Sequence, residues 1–186
     1  MILGIVGMIG SGKDTVANYI SHKYGYEIVS FRDIVHDIVK ERGLESTREN
    51  MQKTARECRD KYGEYYFSKK ALEKGIALLK KGKKVLFKEM RTEGDVEILR
   101  KEFDRKIKII IVEAGERTRF ERVKKRGRLG DPKTLDEFMI QQKKEEELHF
   151  TDSLKLADLG IDNNGTKKEL ESEIDKMMED LKRESY

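Results

Sequence analysis

The chain of 186 residues has no tryptophan, a single cysteine (Cys58) and a single proline (Pro132). A lone cysteine excludes an intrachain disulfide and a cysteine-rich metal site. Cys58 sits in a charged helical stretch and reads as a structural thiol. Long apolar runs are also missing, and none approaches the length of a membrane span. No basic segment leads into a long apolar run after Met1, so no signal peptide is expected and the expected compartment is the cytoplasm. Repeats, low-complexity tracts and linkers are absent as well, which predicts one domain over residues 1–186. Nor does one charge dominate: 40 Lys and Arg against 36 Asp and Glu give a net charge of +4. That mixture is too even to point to nucleic acid, and no nucleic-acid or membrane partner is expected. It suits small ligands that carry phosphates. Nothing in the sequence fixes an oligomeric state.

What is present is an alternation of short apolar runs with amphipathic stretches. "MILGIV" and "IKIIIVEA" are nearly continuous apolar segments, the pattern of strands buried on both faces. "YEIVS", "KKVLFKEM" and "LKLADLGID" give three further strands. Helical periodicity covers residues 13–24, about 33–42, two stretches within 47–81 that meet near Gly63, then 93–103 and 116–126. It returns in a long charged helix from about Thr134, where "KKEEE" reads as i,i+4 charge pairing, and in a last helix lined by Leu170, Ile174, Met177 and Leu181. Gly43 stops the second helix, and Ser46 with Glu49 has the spacing of a capping box. Strands alternating with helices predict a parallel sheet covered on both faces.

The segment "GIVGMIGSGKDTVANYI" carries the chemistry. Gly7, Gly12 and Lys13 fit the phosphate-loop pattern G-x-x-x-x-G-K, placed between a strand and a helix as that motif requires. Glycines let backbone N–H groups close around phosphate oxygens, the helix N-terminus adds its dipole, and lysine reaches the β- and γ-phosphates. Residues Gly7, Met8, Ile9, Gly10, Ser11, Gly12, Lys13, Asp14 and Thr15 therefore form the expected site for ATP. The pattern ordinarily continues with a hydroxyl that binds Mg2+. Here Asp14 stands in that place, and Thr15 lies about 100° further round the helix. A carboxylate is a hard oxygen ligand, so Asp14 is the expected magnesium ligand, direct or through water.

The loop resembles those of the nucleoside monophosphate kinases, and "SGKDT" is similar to the loop of phage deoxynucleoside monophosphate kinases. A likeness over nearly the whole chain is to archaeal adenylate-kinase-related proteins. It is carried by Ser30, Asp33, Ile34, Val35 and His36, by "KEMRT", by "RFERVKKRGRLGDPKT" and by "ADLGIDNNGT". The resemblance implies a three-layer α/β/α P-loop NTPase fold with a five-stranded parallel sheet. It also implies a helical acceptor-binding region at about 31–82 and a short lid at about 126–135. Phosphoryl transfer needs positioning and cations around the moving group. Arg91, past the third strand, would clamp the acceptor phosphate. Of Arg122, Arg126 and Arg128, the last two are preferred as lid cations over the γ-phosphate. Asp33 would hold magnesium-bound water or cap its helix. His36, where the resemblance leads one to expect arginine, would touch phosphate or be an ordinary half-exposed histidine. Asn163 or Asn164 would border the donor base.

The sequence departs from that pattern in two places. Lys88 and Glu89 stand where the resembling proteins have Asp-Gly, and that Asp would ordinarily serve magnesium. Glu89 would substitute only if the strand ends early enough to escape the alternation of side chains; Lys88 would otherwise pair with Asp14. "QQKKEEEL" replaces an arginine-bearing segment, so Gln142 and Lys143 lose a bidentate grip. The expected function is phosphoryl transfer from ATP to a nucleoside or deoxynucleoside monophosphate, whose base and sugar are left open. A nucleotide switch or slow ATPase and a dephospho-CoA kinase are the alternatives.

Overall fold

The structure, a computed structural model, describes residues 1–128, 130–147 and 151–184. Leu129, within the expected lid, lies outside the described residues. Five strands run β1 (Ile2–Val6), β2 (Tyr26–Ser30), β3 (Lys84–Lys88), β4 (Ile107–Glu113) and β5 (Leu159–Asp162). All neighbours pair in parallel, in the order β2-β3-β1-β4-β5. The helices are α1 (Lys13–Tyr24), α2 (Phe31–Glu41), α3 (Arg48–Tyr62), α4 (Tyr66–Lys80), α5 (Glu93–Phe103), α6 (Glu116–Arg126), α7 (Leu135–Glu147) and α8 (Lys167–Arg183). The three-layer α/β/α architecture expected from the sequence is present.

The apolar runs of β1 and β4 have their cause in two cores. Ile2, Val6, Phe87 and Ile109 face a cluster built with residues of α2, α3, α4 and α5. Leu3, Ile5, Leu86 and Ile110 face the opposite cluster, made with Val16, Ala17 and Ile20 of α1 and Leu170, Ile174, Met178 and Leu181 of α8. Every residue of β1 is therefore buried, and alternation of polarity has no room to appear. Cys58 is buried in the first of these clusters, as a structural thiol should be. A third, smaller cluster of Phe120, Val123 and Phe138 joins α6 to α7, with Ile9 of the first loop packed on it.

Helix ends differ from expectation in two places. The cap of α3 is Thr47, whose hydroxyl accepts from the Asn50 N–H at 3.2 Å, so Ser46 and Glu49 do not form the expected capping box. Helix α2 begins at Phe31 rather than near Asp33, because Ser30 is both the last residue of β2 and the N-cap. The segment "ADLGID" contributes a device that periodicity does not show. Asp158 accepts the Ile109 N–H at 2.7 Å and an Arg100 N–H at 2.8 Å, while its own N–H donates to Ile109 O at 2.7 Å. It thus extends the β4–β5 ladder with a side chain. Since Ile109 is fully buried, Asp158→Ala leaves its N–H without a partner. Equilibrium urea unfolding of that variant is expected to show a loss of about 1–3 kcal/mol; a change within error would remove the carboxylate from the ladder.

Candidate functional site

The segment from Gly7 to Gly12 connects β1 directly to α1. Gly10 and Gly12 have φ of 80° and 94°, a region that side-chain-bearing residues rarely adopt. A Cβ at Gly7 would come within 2.8 Å of the Val112 carbonyl, one at Gly10 would strike the Arg119 carbonyl, and one at Gly12 would strike Asn163 Nδ2. The glycines therefore let the loop lie flat against β4, α6 and the turn after β5.

Three side chains hold it there. Asn163, almost fully buried, donates from Nδ2 to Ser11 O at 2.7 Å. Arg122 donates to Asn163 O at 2.8 Å and to Ser11 O at 3.4 Å. Arg119, also buried, donates to Ala114 O at 3.1 Å, Ile9 O at 3.3 Å and Gln142 Oε1 at 2.7 Å, and its guanidinium lies over the Phe138 ring. The Ser11 hydroxyl beside the loop is buried without a hydrogen-bond partner. A glycine cradle, an unpaired buried hydroxyl and a lysine at the start of α1 fit the phosphates of a nucleotide.

Lys13 is half-buried, and desolvation pushes its ammonium below the ordinary lysine value, against the pull of Asp14 and Glu89. Its neighbour Asp14 is not open to solvent cations alone. Lys88 Nζ lies 2.9 Å from Asp14 Oδ1, with the lysine side chain only 16% exposed. Partial burial acts to raise the Asp14 carboxyl, but the hydrogen bond and charge of Lys88, with Lys13 and Arg128, outweigh it and hold it below the usual carboxylate range. A divalent ion on the same oxygen would sit against that ammonium. Repulsion at about 4 Å is on the order of 4 kcal/mol per pair of unit charges at a protein surface. As these side chains stand, they do not fit a magnesium ion bound directly to Asp14.

Glu89 follows with φ of 66°, one of two positive-φ residues other than glycine among those described. This turn resets the strand alternation, so Lys88 and Glu89 both line one cavity of about 280 Å3 with Asp14, Arg32, Asp33, His36 and Arg128. Ser30 ties the cavity wall together, accepting from Asp33 N at 3.1 Å and donating to Glu89 Oε2 at 2.7 Å. Asp33 therefore does not cap α2; Ser30 does.

The cavity brings Asp14, Asp33, His36 and Arg128 together, and it adds Arg32, which sequence reasoning missed. Arg91 is exposed and near enough to Lys13 to act on its charge, but it does not line the cavity. Arg126 is held in a bidentate pair with Asp131, at 2.7 and 2.8 Å, and Asp131 also accepts the Arg128 N–H. Asn163 braces the loop through Ser11 O, and the Asn164 amide is bonded to Asp162 and to Gly115 N. Arg119 opens the "RFERVKKRGRLGDPKT" segment and Asn163 lies in "ADLGIDNNGT", but nothing in the sequence marked either as a brace of the loop.

Residues 6–139 match the family described as AAA domain. The UPF0200 protein of Thermococcus kodakarensis is 36% identical over 182 residues, covering 97% of this chain and 98% of that one. The UPF0200 protein of Methanocaldococcus jannaschii is 30% identical over 181 residues, covering 97% and 90%. Among solved structures, shikimate kinase from Aquifex aeolicus is 20% identical with a TM-score of 0.56 and covers 96% of each chain. Dephospho-CoA kinase from Campylobacter jejuni is 17% identical with a TM-score of 0.60, covering 100% of this chain and 98% of that one. The chain belongs to the AAA-domain family and to the UPF0200 proteins, and its fold is that of the P-loop kinases.

Asn163→Ala removes the buried donor to Ser11 O and is expected to lower stability by about 1–3 kcal/mol and to weaken nucleotide binding in titration calorimetry. Unchanged affinity in the folded variant would dissociate the brace from the loop. The Asp131 carboxyl is depressed by its hydrogen bond to Arg126, more than partial burial raises it. Its contribution is therefore complete above the ordinary aspartate value of 3.8 and is lost as the pH falls through the depressed folded value. Hydrogen exchange at the Arg128 and Asp131 amides should accelerate in that acid range, and Asp131→Asn should abolish the pH dependence.

Proposed function

We propose that this protein is an ATP-dependent phosphotransferase whose acceptor is a small molecule already bearing a phosphate, a nucleoside or deoxynucleoside monophosphate. The observation that carries this is the adjacency of the glycine cradle and Lys13 to a cavity whose other wall supplies Arg32, His36 and Arg128. Residues 7–15 hold the donor phosphates, with Lys13 on the β- and γ-groups. The acceptor lies in the helical region at about 31–82, where Arg32 and His36 meet its phosphate and Asp33 orients it. Arg91 enters from the end of β3. An acceptor phosphate oxygen attacks the γ-phosphorus in line, and the bridging oxygen leaves with ADP. Charge accumulates on the transferring oxygens, which is where Arg128 and, once released from Asp131, Arg126 act from the lid at about 126–135. Asn163 serves as a brace of the loop, and Asn164 shapes the adjoining turn.

A second reading, an ATP-operated switch with slow hydrolysis, draws on a specific observation. Arg126, a cation that transfer would use, is paired with Asp131, and Lys88 beside the loop is paired with Asp14.

ADP formation with each nucleoside and deoxynucleoside monophosphate and with dephospho-CoA, against a no-acceptor control, separates the readings. Acceptor-dependent turnover that disappears in Lys13→Ala and falls roughly 100-fold or more in Arg128→Ala is expected. ADP release that is flat across all acceptors, with ATP still bound, would leave the switch.

A further inference from the structure

Two residues that look like defects of the phosphate loop face one another. An acid, Asp14, occupies the place of the usual hydroxyl, and a base, Lys88, occupies the place of the usual strand-end acid. They meet at 2.9 Å. The contact is delivered by rigid elements: Asp14 lies in the first turn of α1, and Lys88 is fixed by its register opposite Ile5 of β1 and Ser30 of β2. The Lys88 side chain is mostly covered, yet the residue lines the same cavity as Asp14. An ammonium has three N–H donors, and the bond to Asp14 uses one. The next residue, Glu89, keeps a left-handed backbone without being glycine, a conformation that persists only where the surroundings enforce it. The Ser30 hydroxyl does so by holding its carboxylate.

We infer that Lys88 neutralises the acid of this loop and offers its remaining N–H donors to the phosphates where a divalent metal would otherwise bind, so that the site accepts a nucleoside triphosphate without magnesium. The inference rests on the nucleotide-binding reading above. Asp14 alone would set a negative charge beside the phosphates, which a hydroxyl does not. Lys88 cancels that charge and leaves donors for phosphate oxygens. Each substitution explains the other: the acid holds the ammonium in place, and the ammonium makes the acid tolerable. An ammonium is a point charge of one unit; its advantage over a metal is that it is covalently part of β3 and never dissociates.

Calorimetric titration of ATP in EDTA and in excess MgCl2 tests this directly, on the wild type, on Lys88→Met and on Asp14→Ser/Lys88→Asp. Thermal melting of each establishes that it is folded. The wild type is expected to bind ATP with affinities within about fivefold in the two buffers. Lys88→Met, with Asp14 unneutralised, should bind at least roughly tenfold more weakly in EDTA and recover in MgCl2. The double variant, which restores a hydroxyl and a strand-end acid, should require the metal. Wild-type affinity that collapses in EDTA, with the same ratio in Lys88→Met, would overturn the inference while leaving nucleotide binding intact. No ATP binding in either buffer would overturn the nucleotide-binding reading itself. Because the wild-type comparison decides the main point, a variant that fails to fold does not remove the test.

Discussion

Burial of a parallel sheet on both faces is the constraint from which the rest follows. Helices α1 and α8 cover one face and α2, α3, α4 and α5 the other. Polar chemistry is left the carboxyl edge of the strands, where the crossover connections open. Val6, Ser30, Lys88, Glu113 and Asp162 are the last residues of the five strands, and the loop, the brace and the cavity are all built within a few residues of them. Placement of charged groups in this protein is therefore first a matter of strand order. With β1 between β3 and β4, the loop has Lys88 on one side and the Asn163 and Arg119 brace on the other.

Two of the cations at that edge are held by carboxylates. Lys88 holds Asp14, and Arg126 holds Asp131. Lys13 is tempered by Asp14 and Glu89. Such pairing keeps desolvated charges from standing alone, which would cost more than the pairs gain.

Much of this was legible in the sequence, for stated reasons. The continuous apolar runs of β1 and β4 required a doubly covered sheet, and the strand–glycine–lysine–helix order required a loop of this shape. Lys88 against Asp14 was legible as one of two possibilities, since opposite charges at a strand end and a helix start near it find each other. The direction of Arg119 and Arg122 was not legible. In a stretch as basic as 117–128, one helical turn separates a solvated cation from a buried brace, and only the position of α7 and β5 decides between them. Glu89 hid its role for a different reason: a left-handed backbone announces itself in sequence when glycine occupies it, and here glutamate does. Thr47 was missed as the α3 cap because Ser46 offers the same chemistry one residue earlier.

The small cluster of Phe120, Val123 and Phe138 has a mechanical consequence. It is separate from the two cores that grip the sheet, and through Ile9 it touches the first loop. Helices α6 and α7 are thus joined to each other and to the loop by a core of their own. Residues 7–12 and the helix that ends at Arg126 are thus in contact through apolar side chains as well as through the Arg119 and Arg122 hydrogen bonds, independently of the sheet's own cores.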